Sequence, residues 1–172
     1  MKREDKVIWI DENGNSRGVV TRTEAHIQGL LHQISVVYLI NEKREVLVQQ
    51  RADNGKYDHS SAGHVDPGES TLDAATRELF EELGVEDVDL LEIGETVLEH
   101  TDSGPNHNVK HLYTIYYCQA EPVKLDPHEV QLVIWKKPSN ILKEMARDKD
   151  HIKYTPGFKI TFGYFLKHVF KD

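Results

Sequence analysis

Gly63-His64-Val65-Asp66-Pro67-Gly68-Glu69-Ser70-Thr71-Leu72-Asp73-Ala74-Ala75-Thr76-Arg77-Glu78-Leu79-Phe80-Glu81-Glu82-Leu83-Gly84-Val85 is the stretch that decides the fold. Asp66-Pro67-Gly68-Glu69 fits a type II turn: proline fixes φ at the second position and glycine accepts a positive φ at the third. Ser70 then serves as an N-cap, and Asp73 three residues on completes a capping box. Leu72, Ala75, Leu79 and Leu83 recur at helical spacing, so the helix expected at Leu72–Leu83 turns that stripe to the core. Gly84 stands where a left-handed residue ends a helix.

The same helix gathers acid. Glu78 and Glu82 are four residues apart, and Glu78 and Glu81 three apart, so their carboxylates share one face beside the apolar stripe. No Lys or Arg stands at a helix position expected to neutralise them. Exposed like-charge pairs cost only about 0.2–0.5 kcal/mol each, and partial enclosure raises that severalfold. A divalent cation relieves the repulsion, and hard oxygen ligands select Mg²⁺ or Mn²⁺ over zinc. On spacing alone, a solvated acidic face and a metal site are equal readings.

The whole segment separates them. It reads Gly, five residues, Glu, seven residues, Arg-Glu, an aliphatic, any residue, Glu-Glu, any residue, Gly and an aliphatic, over 23 consecutive positions. Every fixed position of the Nudix box is matched, and the chain resembles the Nudix hydrolases. That resemblance implies an α/β/α sandwich in which Glu78, Glu81, Glu82 and the backbone carbonyl around Gly63 hold Mg²⁺ or Mn²⁺. It implies that Arg77 and Glu69 brace the loop against the helix. The metal screens a diphosphate, polarises phosphorus and activates water. The base that deprotonates the water is a box glutamate or one on a later loop, here Glu129. The catalytic assignment therefore covers Glu78, Glu81, Glu82 and Glu129.

Working outward, Val7–Ile10 reads as a strand ended by the turn Asp11–Asn15, and Gly18–Arg22 as its hairpin partner. Ile34–Ile40 is a nearly unbroken apolar run, the signature of a central strand buried on both faces. Val46–Gln50 returns after a turn at Asn41–Arg44. Val88–Leu98, with Gly94 inside, reads as a strand with a bulge or bend. Leu112–Ala120 and Val130–Trp135 complete the strand set, and helices are expected at Ser139–Arg147 and Phe158–Phe170. The class is α+β, a mixed sheet flanked by helices in one domain over residues 1–172.

The chain has 172 residues, 38% hydrophobic and 29% charged, with formal net charge -8. Such a charge argues against binding a nucleic-acid polymer through a positive surface. From Glu78 to Asp102 there are ten acidic residues, and Glu86–Glu99 reads as a solvated face. The one cysteine, Cys118, excludes an internal disulfide and reads as a small core residue. No apolar run approaches the ~20 residues of a membrane span, nor that of a signal peptide. A cytoplasmic protein without a membrane partner is expected.

Beyond the box, the chain resembles the Nudix branch containing type 1 isopentenyl-diphosphate isomerase and its hydrolase-like relatives. The shared features are Asp11-Glu12-Asn13-Gly14, Arg22 with His26, Leu31-His32, Gly63-His64, Glu129-Val130 with Trp135, and Tyr154-Thr155-Pro156. The resemblance implies a second metal at His26, His32 and His64, with His111 as a further candidate. It also implies diphosphate contacts from Arg22, Arg51 and Lys56. The departures are chemical. The isomerase places a cysteine just before Gly-His and a glutamate on a later strand as its acid/base pair. Here the first position is Ala62, and the later region, Asn108-Val109-Lys110-His111, holds no glutamate.

The leading expectation is a Mg²⁺- or Mn²⁺-dependent hydrolase of a small-molecule diphosphate, either a nucleoside diphosphate derivative or another organic diphosphate. The rivals are an isomerase and a non-catalytic nucleotide- or diphosphate-binding module, whose usual sign is loss of box carboxylates. Substrate recognition is expected from loops around Ala52–His59 and Asp102–Lys110, with Tyr57, His107 or Phe158 as base-stacking candidates. The resemblance allows a monomer or a homodimer.

Overall fold

Ile34–Ile40 does become the centre of the sheet. A computed structural model describes residues 5–101 and 108–170. In chain order the elements are β1 (Lys6–Ile10), β2 (Ser16–Thr21), α1 (Arg22–Gln28), β3 (His32–Ile40), β4 (Val46–Arg51), β5 (Tyr57–Asp58), β6 (Ser61–His64) and α2 (Thr71–Leu83). There follow β7 (Leu91–Thr101), β8 (Asn108–Gln119), β9 (Val130–Lys136), α3 (Pro138–Arg147) and α4 (Pro156–Val169). β3 lies parallel to β8 along its whole length and antiparallel to β6, β7 flanks β8, and β4 joins β5 and β9. The sheet is mixed.

Alternate residues of β3 feed two cores, as a strand buried on both faces requires. Ile34, Val36 and Tyr38 pack with Phe158, Phe162 and Phe165 of α4 and Ile141 of α3. Val37 and Leu39 pack on the other face with Ala75, Leu79 and Leu83 of α2, and with the buried Cys118. Full burial of each large side chain contributes about 1.5–3 kcal/mol, so these aromatic and aliphatic layers hold the sandwich together. The α+β class and the α/β/α layering follow from those two cores.

Several local expectations change. Arg22 does not end a strand: Thr21 caps a helix there, its side chain accepting from the Glu24 N–H at 3.1 Å, and α1 closes on Gly29 at φ +64°. A capping threonine within a β-branched run gave no periodic signal. The strand expected at Val88–Leu98 begins at Leu91 and reaches Thr101, with the bulge falling between Glu92 and Gly94. Gly94 is needed there, because a Cβ would overlap the Tyr164 hydroxyl. In the block expected to be solvated, Glu92 and Glu95 accept hydrogen bonds from Tyr116 and Thr114.

The turn and both ends of α2 form as expected. The Glu69 N–H donates to the Asp66 carbonyl at 3.0 Å, and Gly68 has φ +88°. Ser70 and Asp73 make the reciprocal capping box, and Gly84 closes the helix at φ +65°. The buried stripe is rotated, however. Leu72 is 46% exposed, whereas Ala74 and Glu82 join Ala75, Leu79 and Leu83 inside. α2 packs over β6 as well as β3, which turns the Glu82 side of the helix inward.

Candidate active site

β6 organises the site because its neighbouring residues face different chemistry. Gly63 pairs with Ser35 of β3, and a Cβ on Gly63 would overlap the Glu78 carboxyl group. Only glycine lets β6 and α2 approach this closely. Glu82 is 6% exposed, and its Oε2 accepts from Gln49 Nε2 at 3.1 Å and from the Ala62 N–H at 3.3 Å. Burial pushes the Glu82 carboxyl up to about 8, with the Glu78 charge adding to that and the hydrogen bond from the Ala62 N–H opposing it. Glu78 is also raised, mainly by burial and against the pull of Arg77.

Arg77 corrects the expectation of an unneutralised acidic face. Its Nε and Nη2 form a two-pronged pair with Glu69 at 2.8 and 2.9 Å, and Nη2 also reaches the His64 carbonyl at 3.1 Å. Nη1 donates to Glu78 at 2.6 Å and lies 3.4 Å from Glu81. The arginine precedes Glu78 by one position, a spacing at which helix side chains do not normally face each other. Bending back to the loop brings its guanidinium beside them. Glu82 has no such partner among the described residues.

On the other side of β6, four histidines converge. Strand register brings His32 of β3 opposite His111 of β8, His64 of β6 pairs opposite Ile34, and α1 lays His26 alongside. One ligand-capable atom from each lies within 4.8 Å of all the others. His26 Nε2 and His111 Nε2 are 3.2 Å apart. His32 Nδ1 faces the Leu30 carbonyl at 2.8 Å; a carbonyl only accepts, so this nitrogen carries the proton and Nε2 the lone pair. Nε2 of His32 and Nε2 of His64 are buried without a hydrogen-bond partner among the described residues. Burial, together with the neighbouring histidines and Arg22, holds His111 down to about 2 and His64 well below the usual histidine range. His32 is likewise lowered by burial. His32, His64 and His111 are thus held as neutral imidazoles.

Both constellations open into one cleft of about 1310 Å³. Of the residues singled out in the sequence, Arg22, His26, Arg51, Lys56, Gly63, His64, Arg77, Glu78, Glu81, Glu82, His111 and Glu129 line it. His32 and Glu69 stand behind that lining as partners of the residues in front. Glu129 is close enough to Glu78 to raise its pKa. Base stacking by Phe158 is excluded, since that ring is fully buried in the α4 core. Tyr57 packs against Lys136, whose Nζ is 4.4 Å from the ring centre, and His107 lies outside the described residues. Sequence reasoning missed Gln49, which bonds Glu82, and Tyr113 and Lys159, which line the cleft. The one available signal was Gln49, a polar residue interrupting an apolar strand.

The NUDIX domain family profile matches residues 30–157. An isopentenyl-diphosphate Delta-isomerase of Pectobacterium atrosepticum is 30% identical over 163 residues, covering 91% of this chain and 89% of that protein. The enzyme of that name from Streptomyces coelicolor is 34% identical over 148 residues, covering 81% and 74%. Among solved structures, a Deinococcus radiodurans protein gives a TM-score of 0.70 at 17% identity, covering 92% and 97% of the two chains. A MutT protein of Methanosarcina mazei gives 0.62 at 24%, covering 83% and 96%. Those structural likenesses bear on the fold alone. With the box intact and the profile spanning most of the chain, the protein belongs to the NUDIX domain family.

Proposed function

We propose that the protein is a Mg²⁺- or Mn²⁺-dependent hydrolase of a diphosphate linkage in a nucleoside diphosphate derivative or other small organic diphosphate. The observation that carries this reading is the buried Glu82 carboxylate, set beside Glu78 under Gly63 with no protein cation of its own among the described residues. A buried carboxylate pushed up to about 8 fits a site that completes its charge with a cation. Glu78, Glu81, Glu82 and the Gly63 carbonyl would hold that ion. When bound, it supplies charge screening and Lewis acidity at phosphorus and acidifies water.

The chain's own residues do the rest. Arg22, Arg51 and Lys56, which line the same cleft, bind the phosphate groups. Arg77, fixed by Glu69, holds the loop and the Glu78 carboxylate in register. Gln49 orients Glu82 through its amide. Glu129, facing the same cleft, takes the proton from the attacking water. A panel of nucleoside di- and triphosphates, nucleotide sugars, dinucleotides and isopentenyl diphosphate, assayed for cleavage of the P–O–P linkage, tests the reading. Cleavage that needs Mg²⁺ or Mn²⁺ and disappears in Glu82→Gln is expected; equal cleavage by Glu82→Gln contradicts it.

The four histidines support a second cation site. Neutral nitrogen donors favour a borderline transition ion such as Zn²⁺ over Mg²⁺. The isomerase-named relatives favour a second reading, isomerisation of isopentenyl diphosphate. Against it stands Ala62, whose methyl group cannot move a proton. Rescue of an isomerase-deficient strain by this protein would favour that reading.

A further inference from the structure

Tyr113 belongs to neither set of residues above, yet it lines the same cleft. It stands two residues after His111 on β8, so both side chains face the same side of the strand. His111 Nδ1 and the Tyr113 hydroxyl are 3.2 Å apart, and both side chains are buried. The hydroxyl also lies beneath the start of α4, where a Cβ on Gly157 would overlap it. That glycine leaves room for the hydroxyl at the cleft, which Tyr113 and Gly157 both line. A phenolic hydroxyl can both accept and donate.

An imidazole that binds a cation through one nitrogen must carry its proton on the other, and a hydrogen-bond acceptor there fixes the choice. His32 has such an acceptor in the Leu30 carbonyl. We propose that Tyr113 does the same for His111: its oxygen accepts the Nδ1 proton, aims the Nε2 lone pair into the histidine cluster, and leaves the phenolic O–H to donate into the cleft. Tyr113 is then a positioning residue for the imidazole site and a link from that site to a ligand in the diphosphate cleft. This inference rests on the reading of the four histidines as a cation site.

The test titrates metal-stripped protein with Zn²⁺, and with Co²⁺ as a coloured probe, in wild type, Tyr113→Phe and His64→Ala. Phenylalanine keeps the ring and removes the hydroxyl. Tyr113→Phe is expected to weaken Zn²⁺ binding about 10- to 100-fold, the usual effect of losing such a partner, with the metal-free melting temperature nearly unchanged. His64→Ala is expected to abolish binding. Wild-type affinity in Tyr113→Phe overturns the proposal while leaving the cation site intact. Failure of wild type to bind, or binding by His64→Ala equal to wild type, overturns the cation site itself and the proposal with it. If Tyr113→Phe does not fold, ¹⁵N NMR of the Zn²⁺-loaded wild-type protein decides. A proton on His111 Nδ1 supports the proposal, and one on Nε2 overturns it.

Discussion

Gly63 and His64 are neighbours in sequence, yet they belong to sites of opposite character. The glutamate site beside Gly63 comes almost entirely from one helix, is rich in negative charge, and has Arg77 as a partial internal counter-ion. The histidine site around His64 draws on α1, β3, β6 and β8, and burial holds His32, His64 and His111 neutral. One concentrates oxygen donors, the other nitrogen donors, and a single strand separates them. The lesson is that one cleft can offer two different donor sets when neighbouring β-strand residues point to opposite faces.

The largest effect expected from breaking this contrast is on turnover. Glu78→Gln or Glu82→Gln is expected to lower the rate of diphosphate hydrolysis by about 10²–10⁴ while Zn²⁺ binding at the histidines survives. Steady-state kinetics beside metal analysis checks this; loss of both properties together would show one site rather than two. Gly63→Ala comes next, because its methyl must displace Glu78. A misplacement of this size costs about 100-fold in rate, and Mg²⁺ titration should show weakened activation. Full activity in Gly63→Ala would mean that the close approach of β6 to α2 is unimportant.

A smaller effect is expected from His64→Ala. It should remove Zn²⁺-induced stabilisation, read as the shift in melting temperature on adding the ion, while leaving Mg²⁺-induced stabilisation in place. Loss of the Mg²⁺ response as well would join the two sites into one. The smallest effects are in the pH dependence of the metal-free protein, where the sites tilt stability in opposite directions. Glu82 is raised to about 8, above its unfolded value, so its contribution is full at low pH and is lost as pH climbs through about 8. His111 is lowered to about 2 while the unfolded histidine titrates near about 6.5, so stability is lost as pH falls below that value. Differential scanning fluorimetry should show Glu82→Gln raising the melting temperature at pH 8 by about 2–4 °C. His111→Gln should flatten the acid limb. An unchanged pH profile in both variants would refute the assigned burial.

The contrast also explains what the sequence revealed. The glutamate site was legible because its turn, caps and carboxylates fall within one contiguous segment whose local rules agree. Its buried face was misjudged at Leu72 and Glu82, since periodicity counts a glutamate as outward-facing and cannot see β6 above it. The histidine site was legible only through family resemblance. Its four members are brought together by register between β3, β6 and β8 and by a short helix at Arg22–Gln28 that the apolar pattern did not signal. Gln49 was hinted at only by its polarity, because its partner Glu82 lies 33 residues away. Tyr113 was illegible because nothing in the sequence marks the face of β8 that it shares with His111 as a site.

The cleft is proposed to hydrolyse a diphosphate rather than to shift a carbon–carbon double bond by moving a proton. ³¹P and ¹H NMR of isopentenyl diphosphate and a nucleoside diphosphate panel, incubated with the protein and Mg²⁺ or Mn²⁺, reads both reactions in one tube. The predicted result is loss of diphosphate resonances for at least one substrate, abolished in Glu82→Gln, with no dimethylallyl product. Formation of that product from isopentenyl diphosphate, with every diphosphate intact, would contradict it.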